Sequence, residues 1–406
     1  PFSELLEFDH QDDRITAHLT TPLDPGEVGR VMVEFWGQPQ PEGLFGYQVD
    51  LTDAGDPIVA TVSEPWSARS WWPCKDDPRD KASVATNIYA PSGLTAVSNG
   101  WFLGQEGQVF SWLETLPIPT YLVSLAVSDY TLLQDTYTGS AGQIDLKHYV
   151  FPHLVEQAEA DFAVLPDMLD FCGDLFGPYP FPGQPYGMAL CQWDQAMEHP
   201  TAVTYGHVLV TGDGQYETIL MHELAHMWFG NLISPQDWTH IWLNEGFATY
   251  VEALWAEHVY GPAGLSNFMA SHDWGHGYGG DTLLRNPEQS DPTYYFRPIA
   301  YHKGAWVLHM LRRELGDDDF FAALRHYLER PDLRYGNAES KDFRQSCEEV
   351  VGRDLGWFFN QWLTRRTYPV LRIEWQNNWL DGANEVRVRV RQEQDPEADG
   401  SRPAYR

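Results

Sequence analysis

Cysteine is scarce in this 406-residue chain: Cys74, Cys172, Cys191 and Cys347 are widely spaced and form no Cys-x-x-Cys pair. That excludes a zinc-ribbon spacing and a disulfide scaffold, and leaves buried free thiols, which fix no compartment. Lysine is nearly as scarce. Only five of the 26 basic residues are Lys, against 58 Asp and Glu, and the formal net charge is −32. Such a surface repels phosphate backbones and anionic lipid, so neither nucleic acid nor a membrane is the expected partner. The acidic, Lys-poor composition fits either adaptation to high salt or the Arg-rich codons of a GC-rich genome, and the second is the simpler reading. Long apolar runs are also missing: none approaches the roughly 18 residues that span a bilayer, so the chain reads as soluble. It starts at Pro1 without a signal-like stretch and stops soon after a strand-like alternation at 385–391, so material is expected to be missing at both ends. Cytoplasm, or secretion directed by an upstream signal peptide, both stay open, as does the oligomeric state.

What is present can build cores. Apolar residues make up 43% and aromatics 14%, which excludes wholesale disorder, and the length predicts two to four domains. Residues 1–134 are short apolar runs punctuated by Pro and Gly, such as Ile58–Val62 and Tyr121–Val127, and read as an antiparallel β domain. From 135 to 368 the texture is mixed α/β, with helices expected at Leu154–Phe171, Glu217–Asn231, Gly246–Val259, Lys303–Leu315 and Asp318–Leu328. Strand texture returns at Tyr368–Leu371, and 369–406 reads as the beginning of a third β domain.

The informative stretch is His222-Glu223-Leu224-Ala225-His226. On a helix, side chains four apart leave the same face, so both imidazoles can share one metal ion. Glu223 then lies beside the metal without pointing at it, as a base for a metal-activated water should. The flanking Leu, Ala, Met, Trp and Phe residues imply burial, where ionisable groups without partners are costly. A catalytic zinc wants three protein ligands and an open position. Glu245, 19 residues beyond His226 in Trp242–Tyr250, supplies the third; as a first-turn carboxylate it also suits the helix dipole.

That pattern, with Glu245 inside Asn-Glu-Gly-Phe-Ala-x-Tyr, resembles the aminopeptidase N and leukotriene hydrolase family of gluzincin zinc metallopeptidases. Phe176–Phe181, Ala196-Met197-Glu198, Tyr301-His-Lys-Gly304 and Trp71–Pro78 agree in order and spacing. The resemblance covers roughly 50–375 and implies a multidomain α+β fold: an N-terminal antiparallel β saddle domain, a thermolysin-like α/β catalytic domain, and the start of a C-terminal β-sandwich module. It implies one Zn²⁺ per chain on His222, His226 and Glu245, Glu223 as base, and release of N-terminal residues from peptides with a free N-terminus. Tyr301 matches the tyrosine that stabilises the oxyanion. Glu198, with Ala196 and Met197, matches the exopeptidase motif that binds the substrate amine, although Gln195 and His199 stand where Gly and Asn are usual. Glu64 falls where many relatives carry an amine-contacting Gln.

Glu252, two turns beyond Glu245, can hydrogen-bond a ligating imidazole, or sit exposed. His272 and His276 read as a flexible Gly-rich surface loop, and Trp71 and Trp72 as core. The competing functions are an epoxide-opening hydrolase, an endopeptidase freed by the altered motif, and a non-catalytic scaffold. Retention of every ligand, the base and the tyrosine weighs against the last.

Overall fold

The computed structural model describes residues 5–40, 44, 46–273, 281–286, 288–366, 368–380, 383–393 and 405. They fall into two units, Pro1–Gln38 and Pro39–Arg406. In the first, β1 (Glu7–Gln11) and β2 (Arg14–His18) pair as an antiparallel hairpin. Asp12 and Asp13 form its turn at φ 51° and 56°, the left-handed twist a two-residue hairpin loop requires.

The second unit opens with β3 (Gly46–Leu51), β4 (Pro57–Val62), β5 (Ala82–Tyr89), β6 (Thr95–Ser98), β7 (Trp101–Glu106), β8 (Val109–Ile118) and β9 (Leu125–Ser128). They make two antiparallel sheets, ordered β3-β4-β9-β6 and β5-β8-β7. The end of β4 buries Ala60, Thr61 and Val62, and the chain then delivers Ser63 and Glu64 into the interior.

A five-stranded mixed sheet follows, ordered β10-β11-β12-β14-β13, from β10 (Thr131–Gly139), β11 (Gly142–Val150), β12 (Met188–Cys191), β13 (Ala196–Met197) and β14 (Val203–Gly206). The boundary expected between 134 and 135 falls inside β10, which pairs along its whole length with β11. Sheet membership ends the β domain before Thr131. The half-exposed polar alternation of β10 hid this, because it looks like the strands preceding it.

Helices α1 (Val155–Phe162), α2 (Leu165–Phe176), α3 (Glu217–Ala225), α4 (Trp242–Ser271), α5 (Gly304–Leu315), α6 (Asp317–Glu329), α7 (Ser340–Val351) and α8 (Gly356–Thr364) complete this α/β part. The helix expected over 154–171 is α1 and α2, divided where Pro166 suits a helix start and not an interior. Helix α4 extends past Val259 to Ser271, with a break at Gly261 (φ 69°) before Pro262. Two short strands, β15 (Ser234–Pro235) and β16 (Asn337–Ala338), pair in parallel. The described part of the expected third β domain is one antiparallel hairpin, β17 (Leu371–Leu380) with β18 (Ala383–Gln392), together with Tyr405. No described helix is long and apolar enough to cross a membrane.

Candidate metal centre and active site

Helix α3 stops earlier than its apolar periodicity suggests. The expected helix 217–231 ends at Ala225, and the chain turns through Gly230, whose φ is 122°. Within that turn the Asn231 N–H reaches the His226 carbonyl at 3.0 Å, and the Phe229 carbonyl comes to 3.0 Å from His226 Nδ1. Across the groove, Glu252 of α4 lies 2.7 Å from His222 Nδ1. An acceptor at each Nδ1 favours a proton there, which is the tautomer whose Nε2 is available to a metal ion.

Both Nε2 atoms face one oxygen. Glu245, in the first turn of α4, places Oε2 at 3.2 Å from His222 Nε2 and 3.6 Å from His226 Nε2. One ligand atom from each of the three lies within 4.8 Å of the others. Tetrahedral zinc with bonds of about 2.0–2.1 Å sets its ligand atoms about 3.3 Å apart, so this donor set fits the ion in spacing and in chemistry. Burial alone would raise the Glu245 carboxyl, but positive charge beside it, here that of the protonated His226 and His222 rings, overcomes burial and draws it down to about 2.

Glu223 lines the same cavity from the next position on α3, and its Oε2 is buried with no hydrogen-bond partner. Burial lifts its carboxyl to about 8, against the pull of His222 and His226. A buried carboxyl so perturbed, with an oxygen free of hydrogen bonds and facing a cavity, marks a functional-site candidate.

Tyr301 comes from a π-turn, Ile299–Lys303, immediately before α5, and its ring stacks on His222 at 6.1 Å and 20°. π-turns commonly mark functional sites because the extra residue re-aims a side chain. Two glycines make the approach possible. A Cβ on Gly304 would stand 2.7 Å from Gly246 Cα, and one on Gly246 would stand 2.8 Å from Gly304 Cα. Thus α4 and α5 touch backbone to backbone beside Glu245, and Tyr301 rides on that contact. Burial and the surrounding carboxylates of Glu245 and Glu64 push its phenol well above the usual range, so it stays a hydrogen-bond donor.

At the other end, β13 is the edge strand of the five-stranded sheet and leads into Glu198. Ala196, Met197, Glu198 and Glu64 all line the cavity, whose volume is about 520 Å³. Glu198 Oε1 and Glu64 Oε1 are buried and take part in no hydrogen bond, Glu198 Oε1 lying 4.0 Å from His226 Nδ1, and carboxylate oxygens of Glu64, Glu198 and Glu245 lie within 4.8 Å of one another. Burial and the neighbouring Glu198 push the Glu64 carboxyl well up, as expected of carboxylates crowded together.

Asn231 carries no chemistry that sequence reasoning could single out, yet its Nδ2 donates to the Glu198 carbonyl at 2.7 Å and ties that loop to the end of α3. His199 turns away: its Nδ1 lies 2.8 Å from the Thr204 hydroxyl, inside the sheet. His272 is not on a surface loop as expected. It ends α4, stacks on Phe268 at 4.2 Å and lines the cavity beside His302, 4.6 Å away. His276 lies outside the described residues. Trp71 and Trp72 are partly buried against the core, and all four cysteines are free.

The chain matches the Peptidase M1 N-terminal domain over residues 4–122 and the Peptidase family M1 domain over 161–362. It is 28% identical over 375 residues to glutamyl aminopeptidase of Rattus norvegicus, covering 86% of this chain and 39% of the relative. It is 27% identical over 366 residues to probable aminopeptidase 2 of Sulfurisphaera tokodaii, covering 85% and 46%. The chain thus spans less than half the length of these relatives. The M1 zinc metallopeptidase of Deinococcus radiodurans superposes with a TM-score of 0.73 at 25% identity, over 90% of this chain and 83% of that one. Similar structures of M1 zinc metallopeptidase variants hold L-tryptophan, L-arginine or Tyr-Ser-Ala.

Proposed function

Because the chain belongs to the peptidase M1 family, we propose that it is a zinc aminopeptidase, releasing the first residue of peptides that carry a free N-terminus. His222 Nε2, His226 Nε2 and Glu245 would hold one Zn²⁺ per chain. When bound, Zn²⁺ polarises the scissile carbonyl and lowers the pKa of water at its open position towards neutrality. Glu223 accepts the proton of the attacking water and returns it to the departing amine. The Tyr301 hydroxyl donates to the carbonyl oxygen as that oxygen gains charge. Glu252 and the Phe229 carbonyl keep the imidazoles in the ligating tautomer.

The observation that carries the reading is the pair of buried carboxylates, Glu198 and Glu64, each with an oxygen that accepts no hydrogen bond, beside the ligand cluster. In an N-terminal residue, bonds of about 1.46, 1.52 and 1.23 Å keep the ammonium within about 4 Å of its own carbonyl oxygen. Carboxylate oxygens within 4.8 Å of a Glu245 carboxylate oxygen match that reach. They can bind the ammonium while its carbonyl lies at the metal, and they close the cavity to a chain extending further. Single amino acids and a free tripeptide bound to related structures are ligands of that kind.

The test is hydrolysis of aminoacyl-p-nitroanilides beside their N-acetylated forms, with and without a chelator. Chelator-sensitive cleavage confined to the free-amine set is expected. Equal cleavage of both sets would remove the exopeptidase reading.

A further inference from the structure

Glu198 can select a free amine only if its loop is held still, and the segment after it contains an anomaly. Thr201 has φ 68°, in the left-handed region that a β-branched residue rarely occupies. It is also buried, at 3% exposure, three residues from Glu198. Such a conformation persists only where the surroundings impose it. Here they come from the N-terminal β domain. The backbone N–H of Gly100 donates to Thr201 Oγ1 at 2.6 Å, and that hydroxyl donates to the Pro200 carbonyl at 2.6 Å. Asn99 Nδ2 donates to the same Pro200 carbonyl at 3.1 Å and to the Leu122 carbonyl at 3.0 Å, while Asn99 Oδ1 accepts the Ser124 N–H at 2.9 Å. Because its partners are backbone carbonyls and an N–H, the Asn99 amide has only one orientation that satisfies them.

Gly100 is fixed by the same geometry. Its φ is 85°, and a Cβ there would lie 2.1 Å from the Leu113 carbonyl oxygen, so only glycine lets this N–H meet Thr201. The Glu198 loop is therefore gripped twice: by Asn231 from the metal side, and by Asn99 and Gly100 from the β domain.

We propose that Asn99 and the strained Thr201 are positioning residues for the amine-binding carboxylate, so that the N-terminal β domain sets exopeptidase selectivity through this clamp as well as through Glu64. The inference rests on the aminopeptidase reading. Neither residue touches substrate. They act by holding Glu198 one residue's length from the metal, where a displacement of about 1 Å costs on the order of 10²-fold in rate.

The experiment measures three things on the full chain loaded with zinc: KM and kcat for leucine p-nitroanilide, and inhibition by acetohydroxamate, which binds the metal and has no amine to anchor. Asn99→Ala and Thr201→Ala should raise KM about ten- to a hundredfold with a smaller change in kcat, and leave zinc content and acetohydroxamate inhibition at wild-type values. Thr201→Ser, which keeps the hydroxyl, should restore KM to within about threefold. A wild-type KM in both alanine variants overturns the clamp. So does parallel loss of acetohydroxamate binding, which would mean a general structural role. If Asn99→Ala does not fold, the Thr201→Ala and Thr201→Ser pair decides alone. A wild-type enzyme that cleaves N-acetylated substrates equally well would instead refute the role of Glu198 itself, and with it any selectivity set by the clamp.

Discussion

The contact between Gly246 and Gly304 makes a quantitative demand on Gly304→Ala. The added Cβ would stand 2.7 Å from Gly246 Cα, whereas non-bonded carbons rest about 3.5–4.0 Å apart. The two helices must separate by about 1 Å. Tyr301 sits three residues before Gly304 in the π-turn that packs on α4, so it moves with α5. A displacement of about 1 Å from the productive position costs on the order of 10²-fold, or about 2.7 kcal/mol at about 1.36 kcal/mol per tenfold. Overpacking costs about 1–3 kcal/mol of stability, less than the roughly 5–15 kcal/mol of an ordinary fold, so the variant should remain folded. The assay is kcat on leucine p-nitroanilide with zinc content measured in parallel. Tyr301→Phe alone should cost about 10²–10³-fold, as loss of one oxyanion donor does. In that background Gly304→Ala should add little, because both act through the same hydroxyl. Wild-type kcat in Gly304→Ala, or full additivity with Tyr301→Phe, would refute the argument. Loss of zinc would do so as well, by locating the displacement at Glu245.

Three further outcomes are expected. Glu223→Gln should abolish turnover while retaining one zinc per chain by elemental analysis, since the amide keeps the shape and cannot take a proton. Glu252→Ala, which removes the 2.7 Å partner of His222 Nδ1, should weaken zinc affinity about 10–100-fold in a competitive chelator titration, and unchanged affinity would deny it that role. His148 is buried, and burial drops its imidazole to about 4 against an ordinary 6.5. A depressed folded pKa means the unfolded chain binds the proton first, so stability is intact above about 6.5 and falls as pH drops towards 4, by up to about 3 kcal/mol. Urea midpoints at pH 7.0 and pH 5.5 should show the decline, and equal midpoints would contradict it.

What the sequence made legible was chemistry at fixed spacing. His222, Glu223 and His226 are readable because four residues on a helix bring two rings together, and Glu245 and Glu252 because seven residues keep one helix face. The end of α3 was not readable. Its apolar residues continue to Leu232, and only a hydrogen-bonded turn at Gly230 stops the helix. Nor could spacing show that Asn231, Asn99 and Thr201 converge on one loop, since each is an ordinary polar residue whose partners lie far along the chain. Gly246 and Gly304 stood in plain sight within recognised motifs, yet their meaning is a distance between two helices, which neither motif contains. His272 misled for the converse reason: the glycine-rich stretch after it suggested a loop, while its own position completes α4 and faces the cavity.

The two halves of the site differ in how much chain must be brought together to make them. The proposed metal ligands and their hydrogen-bonded support span 30 residues, from His222 to Glu252, whereas the contact from Asn99 to Pro200 closes 101. Closing the longer loop costs about 1 kcal/mol more, and that difference counts against the larger closure whenever the fold is loosened. The long-range half also depends on contact between two domains, while the short-range half is two neighbouring helices. On the aminopeptidase reading, mild denaturant should therefore act as a relaxation of choosiness before it acts as a loss of cutting power: the blades are local, and the gauge that tells them where to stop is assembled from a distance.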